Sequence, residues 1–518
     1  MFSFSWQEDH RAKPFGVPLA LLAGLVLGFM HIPFVASWLA VLPLAAIFYL
    51  ITREDTPRLA ARAAFFSGTS FWAVHLFWLP QSFAQNFGPF VWAIFPLIAP
   101  LEALILWSSV AWLAHRFARQ PLPMLGFLAA GFVLIEWVRA NMNAISFPWG
   151  NFGYTLLGTP LAQISSLGGV YLGSLLVTLL AASIAALAWF EARALMVMLG
   201  VWLVVLVFGL TRPAPVKASK DVLLVQPDIS AFDKFRGTVN PLEIHRSLSK
   251  RAKPGALIVW SEAVVNLADL TETKRTYLPY DPKKPNQDTI LIPPPRFEKL
   301  VAGVVDYRNV VNNAQVSQAR VNSVVAMQNG KVLGMTTKTK LVPFGEFIPF
   351  RNELAFIYNP ILSALNVPGL GSSPAMPNPK VLEIAGDKVG AFVCYDSIFP
   401  VVVRQYVQMG ATVLVESTND AWFGGGIGNE QHFEMDRMRA IELDRYLLRA
   451  ANSGITGVID PRGNVLVSAP QNKRLALKGK YGLQGNLTLY ARFGDWAVAF
   501  SVFIMLMFGF TGRRSSGI

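Results

Sequence analysis

The sequence divides near Thr211 into an apolar part and a polar part, and this division constrains the fold more than any other feature. Before Thr211, apolar stretches of about 20 residues follow one another, which is the length of a helix that crosses a lipid bilayer. We therefore predict a membrane domain at residues 1–212 with seven membrane-spanning helices, a polar domain at 213–490, and an eighth spanning helix with a short tail at 491–518. The predicted spans lie at 15–31, 34–52, 62–82, 89–114, 123–140, 169–190, 194–211 and 493–511.

Composition agrees with a membrane protein and argues against several other classes. Hydrophobic residues make up 53% of the 518 residues and charged residues only 15%, against about 25% charged residues in soluble domains. The net charge of +13 could suit nucleic acid, but no basic-aromatic recognition motif is present, and anionic lipid explains the charge more simply. With one cysteine and six scattered histidines, we expect no disulfide framework, no metal and no organic cofactor. We expect a monomer that does not bind nucleic acid.

Basic residues predict the orientation in the membrane. They concentrate in every second predicted loop, whereas the loops at 32–34 and 82–88 have none. Because cytoplasmic loops carry the excess of Lys and Arg, both termini are expected in the cytoplasm and the polar domain on the other side. In a bacterium this means the inner (cytoplasmic) membrane, with the polar domain in the periplasm. The basic residues used are Arg11, Lys13, Arg53, Arg58, Arg62, Arg116, Arg119, Arg193, Arg513 and Arg514.

The polar domain alternates strand-like and helix-like segments, which is typical of a layered α/β domain. A helix with many charged positions is predicted at 430–451, and a hairpin at 455–467. The predicted strands are 222–227, 256–260, 300–306, 321–328, 389–394 and 412–418.

Three strand-like segments lead into residues that could act together as a catalytic group. ALIVWSE delivers Glu262, TTKTKLVPFGE delivers Lys338 and Glu346, and VGAFVCYDS delivers Cys394, the only cysteine. A lone cysteine is most often a small buried hydrophobic residue, and an isolated glutamate or lysine is most often a solvated surface group. The three residue types together, each at the rim of a strand, favour chemistry instead.

The expected chemistry is nucleophilic catalysis by a thiolate, which needs a nearby base or cation. Glu262 could accept the thiol proton. Lys338 could stabilise the thiolate and the oxyanion that forms when sulfur attacks a carbonyl. Glu346 could hold the lysine or relay a proton.

These residues lie in segments that resemble known families. IVWSEA, TKTKLVPFGE and FVCYDS resemble the nitrilase superfamily, whose domain is an α-β-β-α sandwich and whose carboxylate-lysine-cysteine triad would be Glu262, Lys338 and Cys394. Over nearly the whole chain, the sequence resembles the apolipoprotein N-acyltransferase family. The segments that carry this second resemblance are 147–154 (FPWGNFGY), 341–349 (LVPFGEFIP), 417–424 (STNDAWFG) and 431–463.

The second resemblance implies a specific reaction. The enzyme would take an acyl chain from a phospholipid, typically the sn-1 chain of phosphatidylethanolamine, and hold it as a thioester on the cysteine. It would then pass the chain to the α-amine of the diacylglyceryl-cysteine that begins an apolipoprotein, which completes lipoprotein maturation. One covalent intermediate serving two lipids in turn implies ping-pong kinetics.

The resemblance also implies supporting residues around the triad. Glu346 matches the family's second acid, and the backbone NH of Tyr395 is an oxyanion-hole candidate. Asp396 stands where the family more often has glutamate. Lys340 would replace Lys338 if the register slipped by two, but counting back from LVPFGE favours Lys338.

Candidate substrate-binding residues come from the same comparison: Phe235, Asn419, Trp422 and Phe423. Ordinary core or turn packing explains Trp422 and Phe423 equally well. The apolar segment 356–378, broken by Pro and Gly, is either a buried irregular segment or an arm that dips into the membrane surface.

Two other functions remain open from the residues. A membrane-anchored nitrilase-type amidase would use the same triad but pass the acyl group to water. An inactive lipid-binding or transport protein would not form a thioester. Thioester trapping separates an enzyme from a binding protein, and the acceptor separates a transferase from an amidase.

Overall fold

The computed structural model describes residues 16–31, 36–88, 92, 95–230, 239–271, 274–277, 289–292, 295–312, 315–364 and 376–514. Phe235 and the central part of the predicted arm at 356–378 lie outside the described residues.

The N-terminal part is helical, and one long helix follows the polar domain. Helix α3 starts earlier than predicted because Thr56 caps it by accepting a hydrogen bond from the Leu59 NH at 3.3 Å. The helices of this part are α1 Gly16–His31, α2 Val41–Thr52, α3 Pro57–His75, α4 Trp78–Phe87, α5 Ile98–Ala118, α6 Pro121–Ala140, α7 Ser165–Ala185 and α8 Ala192–Thr211.

Four helices in the described part of the chain are long and apolar enough to cross a bilayer: Ile98–Ala118, Pro121–Ala140, Pro160–Trp189 and Ala192–Thr211. Three further apolar helices are shorter, at Gly16–His31, Ser37–Thr52 and Trp496–Phe510. Each of them overlaps a predicted span, although Ile98–Ala118 and Pro160–Trp189 both start nine residues away from the predicted starts at 89 and 169. The predicted span at 62–82 is wrong in its bounds, because α3 ends at His75 and α4 starts at Trp78. The total of eight spans stays a prediction.

The polar domain contains two six-stranded sheets. Their strand orders are β14-β1-β2-β5-β6-β7 and β13-β12-β11-β10-β9-β8, and β3 pairs with β4 separately. The strands are β1 Lys220–Gln226, β2 Leu257–Asn266, β3 Lys274–Tyr277, β4 Thr289–Ile292, β5 Leu300–Asn312, β6 Gln315–Gln328, β7 Lys331–Thr337, β8 Val381–Ile384, β9 Asp387–Val393, β10 Val413–Thr418, β11 Leu447–Ala451, β12 Gly457–Ile459, β13 Val465–Ser468 and β14 Leu475–Tyr481.

Alternating side chains place these sheets face to face between two helical layers. Leu224 of the first sheet and Val415 of the second belong to one buried cluster between the sheets, whereas Leu223 faces outward onto Leu242 of helix α9. The result is the predicted α-β-β-α sandwich. Its helices are α9 Pro241–Ser249, α10 Leu267–Thr271, α11 Ala355–Ala364, α12 Pro400–Gln408, α13 Ile427–Leu443 and α14 Leu489–Phe493, and α15 Trp496–Arg514 follows the domain.

Two sequence-based boundaries need correction. Strand β2 does not end at 260 but continues to Asn266, and an irregular register between Trp260 and Val265 places Glu262 within the strand rather than at its end. The charged helix predicted at 430–451 ends at Leu443, because Asp444 adopts a left-handed conformation with φ +53°. Residues 447–451 of the predicted helix instead form the buried strand β11. The hairpin predicted at 455–467 is confirmed as β12 and β13.

Helix α13 joins the sandwich to the membrane domain. The side-chain oxygen of Gln431 accepts hydrogen bonds from the indoles of Trp78 at 2.8 Å and Trp149 at 2.6 Å. At the other end of the helix, Glu442 accepts a 2.6 Å hydrogen bond from the backbone NH of Val170, next to a kink in α7. The two domains are therefore held together by buried polar contacts as well as by apolar packing.

Candidate active site

The predicted triad residues approach one another from the two sheets of the sandwich. Glu262 comes from β2 and Lys338 directly follows β7, both in the first sheet, whereas Cys394 directly follows β9 in the second. All three side chains are buried, with Lys338 3%, Glu262 5% and Cys394 6% exposed. The structure thus brings together residues that are up to 132 positions apart in the sequence (394 − 262).

Lys338 lies between two carboxylates. Its Nζ is 3.3 Å from Oε1 of Glu262 and 2.9 Å from Oε1 of Glu346. Burial alone would lower the pKa of Lys338, but the two carboxylates raise it well above its ordinary value. The lysine is therefore a fixed cation in the site.

The side chain of Asn322 completes this group, and sequence reasoning missed it. Its amide nitrogen donates to Oε1 of Glu262 and to Oε1 of Glu346, both at 3.0 Å. The backbone NH of Lys338 also donates to the carbonyl of Asn322 at 2.9 Å. The only sequence signal was one amide side chain at the start of the apolar run VNSVVAMQ, which is too weak to assign a role.

Cys394 carries a neutral thiol in the resting site. Burial, followed by the nearby charge of Glu262, raises the pKa of the thiol well above its ordinary value, although Lys338 opposes the shift. Burial also raises the pKa of Glu262, against the effects of Lys338 and of the neighbouring thiol. A thiol beside a carboxylate of raised pKa can lose its proton as the sulfur attacks.

Asp396 connects the cysteine turn to the lysine segment. Its carboxylate accepts backbone hydrogen bonds from Thr339 at 3.1 Å, Lys340 at 2.7 Å and Val393 at 3.4 Å. Burial raises the pKa of Asp396 to about 7, although Lys338 and the three NH groups act in the opposite direction. The position of this side chain fits support of the site through the backbone.

Lys340 and Tyr395 point away from the carboxylate pair. The ammonium of Lys340 lies 5.0 Å from the centre of the Phe399 ring, a cation–π contact, so the ion pairs involve Lys338 and not Lys340. The hydroxyl of Tyr395 donates to the carbonyl of Ser146 at 2.8 Å, in the membrane domain. The residue after the nucleophile is thus tied to the segment that precedes FPWGNFGY.

The predicted substrate-binding residues take different positions. Asn419 accepts a 3.0 Å hydrogen bond from the amide of Asn452. The ring of Phe423 packs against Trp78 at 5.2 Å and Trp149 at 5.9 Å between ring centres, at the junction of the two domains. The backbone of Trp422 lies in the short helix Asp420–Phe423. A role for these residues in substrate binding stays a prediction.

Sequence reasoning also missed a buried ionic cluster behind the cysteine turn. The guanidinium of Arg449 contacts Glu416 and Asp436, and it donates to Asp420 at 2.6 Å. His432 joins the cluster through Asp420, and all five side chains are fully buried. Among the residues that the structure describes, no group of three or more His, Cys, Asp or Glu side chains has a metal-binding arrangement.

Comparison with known proteins matches both parts of the chain. A family model described as the apolipoprotein N-acyltransferase N-terminal domain matches residues 23–183, and one described as carbon-nitrogen hydrolase matches residues 297–478. An apolipoprotein N-acyltransferase of Azotobacter vinelandii is 31% identical over 516 residues, covering 96% of this chain and 95% of that protein.

Two further proteins extend the comparison. An apolipoprotein N-acyltransferase of Nitrosomonas europaea is 30% identical over 525 residues, covering 96% of this chain and 99% of that protein. Among solved structures, Saccharomyces cerevisiae Nit3, a member of branch 10 of the nitrilase superfamily, covers 52% of this chain and 93% of its own, with 16% identity and a TM-score of 0.32.

Proposed function

The chain belongs to the apolipoprotein N-acyltransferase family, and on that basis we propose that it acylates lipoproteins through a thioester on Cys394, with a phospholipid as the acyl donor. It is a multi-pass membrane protein with a nitrilase-like domain, and its reaction is N-acyl transfer in lipoprotein biosynthesis. The observation that supports the proposed mechanism best is the buried group formed by Lys338, its two carboxylates and the thiol.

In the first half-reaction, Cys394 attacks an ester carbonyl of the phospholipid, with the sn-1 ester of phosphatidylethanolamine as the expected donor. As the S–C bond forms, the thiol proton passes to Glu262, the carboxylate that neighbours the thiol. When the C–O bond of the ester breaks, Glu262 returns the proton to the departing lysophospholipid oxygen. The acyl chain is then held as a thioester, and atoms and charge balance.

Lys338 stabilises the charge that develops in this step. Its ammonium stays protonated and lies in a water-poor site, where a fixed cation has a larger effect on an oxyanion than it has in water. The backbone NH of Tyr395, next to the nucleophile, is the proposed second donor. Glu346, 2.9 Å from the ammonium, keeps the lysine in place.

In the second half-reaction, the α-amine of the diacylglyceryl-cysteine attacks the thioester. Glu262 takes the amine proton, and when the C–S bond breaks it returns this proton to the sulfur of Cys394 as the amide is released. Because the lysophospholipid leaves before the apolipoprotein enters, the kinetics are ping-pong.

Both lipids are anchored in a bilayer, so the proposed site has to be reached from the membrane surface. Tyr395 and Gln431 tie the sandwich directly to the membrane domain, and helix α11 exposes the apolar side chains of Phe356 and Ile357. These contacts favour an α11 that dips into the outer leaflet. The proposed orientation has the sandwich in the periplasm and both termini in the cytoplasm, with the protein acting as a monomer that has no nucleic-acid partner.

The mechanism is tested by intact-protein mass spectrometry after incubation with phosphatidylethanolamine. We expect an added mass of one fatty acyl group on the wild type, its release by hydroxylamine, and its absence from Cys394→Ser. No hydroxylamine-labile adduct on the wild type, under conditions in which thioester hydrolysis is excluded, would favour an inactive lipid-binding protein. An adduct that transfers only to water and never to a diacylglyceryl-cysteine peptide would favour an amidase.

A further inference from the structure

A chain of hydrogen bonds leads from the nucleophile turn to a buried carboxylate. Ser397 belongs to the same short turn as Cys394, and its Oγ lies 2.9 Å from Nε2 of His432. Nδ1 of His432 lies 3.0 Å from Oδ1 of Asp420, and the hydroxyl of Thr418 donates to the same oxygen at 2.9 Å. The chain therefore contacts the turn at Ser397.

The four members of the chain, Ser397, His432, Asp420 and Thr418, have no solvent exposure. They come from separate elements: the turn after β9, the end of β10, the short helix Asp420–Phe423 and helix α13. A buried polar side chain destabilises the fold unless it is paired, so each group of the chain has to hold its neighbour in place.

The charges around the chain constrain the direction of its hydrogen bonds. Burial would raise the pKa of Asp420, but the guanidinium of Arg449 and the hydrogen bond from His432 hold it well below its ordinary value. An ionised carboxylate can only accept, so Nδ1 of His432 carries the proton. Nη2 of Arg449 donates to Oδ2 of Asp420 at 2.6 Å and lies 3.1 Å from Nδ1, so the guanidinium and the imidazole both face this carboxylate. Nε2 is then left to pair with the hydroxyl of Ser397.

We infer that His432 is a positioning residue for the nucleophile: through Ser397 it holds the turn that sets the direction of the Cys394 thiol. This inference rests on the proposed role of Cys394 in catalysis. Asp420, fixed by Arg449, orients the imidazole, and His432 itself does not touch the reacting atoms.

The turn requires such support because its backbone is strained at the nucleophile. Cys394 has φ +49°, a left-handed conformation that costs a residue with a Cβ about 1–3 kcal/mol. The surrounding structure has to hold this conformation. Asp396 holds the turn on the side of the lysine segment, and the bond between Ser397 and His432 holds it on the opposite side.

The experiment measures single-turnover acylation of the full-length protein in detergent by p-nitrophenyl octanoate, followed by p-nitrophenolate release and by the acyl-enzyme mass. Ser397→Ala and His432→Asn each remove the same hydrogen bond. Each should slow acylation about 10- to 100-fold, since a small misplacement of a reacting group can cost about 100-fold, while the ester concentration for half-maximal rate changes less than about twofold.

Two comparisons distinguish positioning from general destabilisation. The double variant should be no slower than the slower single variant, because both changes remove one contact. His432→Gln, whose amide can reach Ser397 from the position of Nε2, should recover much of the rate that His432→Asn loses. Multiplied losses in the double variant, or equal rates for Gln and Asn, would overturn the inference.

Tyr481→Phe is the matched control for loss of a buried hydroxyl hydrogen bond. Tyr481 donates to Asp387 at 2.6 Å, at the end of β9 opposite to Cys394. This variant should lower the melting temperature without slowing acylation, and a loss of rate equal to that of Ser397→Ala would show that the Ser397 effect is unspecific.

If the wild type reacts with the activated ester but not with phospholipid, the proposed function fails while the role of His432 is still measured.

Discussion

The ammonium of Lys338 lies closer to Glu346, at 2.9 Å, than to Glu262, at 3.3 Å. The acid nearer to the lysine is thus not the acid that we propose takes the thiol proton. This arrangement gives the two carboxylates different roles. Glu346 holds the ammonium in place, and Glu262 remains available to accept the proton of the thiol.

We expect Glu262→Gln to abolish acylation and Glu346→Gln to reduce it about 10- to 100-fold, because Gln at 346 can still accept hydrogen bonds but no longer fixes the ammonium by charge. Single-turnover formation of the acyl-enzyme measures both rates. Glu383→Gln, a change at an exposed position of β8, is the matched control and should have no effect. Equal loss in the two active-site variants would contradict the division of roles.

Lys338→Ala should cost at least about 100-fold in acylation rate, on the scale of a lost oxyanion donor, whereas Lys340→Ala should cost less than about threefold. The reason is geometric: Lys340 contacts the Phe399 ring and not the carboxylates. The same assay compares the two variants after their melting temperatures have been measured. Similar losses would mean that Lys340 also acts on the reaction.

The rate of acylation should fall as the pH decreases, with a midpoint above the ordinary pKa of a glutamate. Glu262 must be ionised to accept the thiol proton. Because burial raises the pKa of Glu262, this carboxylate becomes protonated, and stops acting as a base, at a higher pH than an exposed carboxylate does. Asn322→Asp should move this midpoint to still higher pH, because a third carboxylate beside the first two disfavours ionisation. A midpoint that moves to lower pH would contradict the assignment of Glu262 as the base.

Part of the site could be predicted because the chemistry lies in short, distinctive segments. TKTKLVPFGE places a lysine and an acid just after a strand, and FVCYDS places the cysteine after another, as the structure has them. The end of β2 was not predictable in the same way. Nothing in the local pattern of IVWSEAVVN shows that the strand passes through an irregular register at Glu262 and continues.

The buried charges of helix α13 were missed because their burial depends on packing that the sequence does not show. The helix has charged residues on most sides, a pattern typical of a solvated helix, yet Asp436, Arg439 and Glu442 have no solvent exposure. Their partners lie on β11, on α7 and on the same helix. A helix that is buried on several sides shows no apolar stripe. The packing of α13 between β11 and the membrane domain explains the charges.

Gln431→Leu should destabilise the protein more than it affects the chemistry. The substitution leaves the indole NH groups of Trp78 and Trp149 without their acceptor, at a cost of about 1–3 kcal/mol for each buried donor. Thermal unfolding in detergent should show a lower melting temperature, whereas acylation at low temperature should change less than about threefold. Gln471→Leu, at a partly exposed contact of the same helix, is the control and should have a smaller effect. An unchanged melting temperature for Gln431→Leu would show that apolar contacts alone hold the domains together.

The orientation of the protein can be tested because Cys394 is the only cysteine. In a Cys394→Ala background, Lys473→Cys would place one thiol on the exposed surface of the sandwich, and Arg119→Cys would place one in the basic segment after α5. If the basic segments face the cytoplasm, a membrane-impermeant maleimide added to spheroplasts should label the cysteine at 473 and not the one at 119. After permeabilisation with detergent both should react, which serves as the control for accessibility. Labelling at 119 in intact spheroplasts would reverse the proposed topology and place the reaction on the cytoplasmic side.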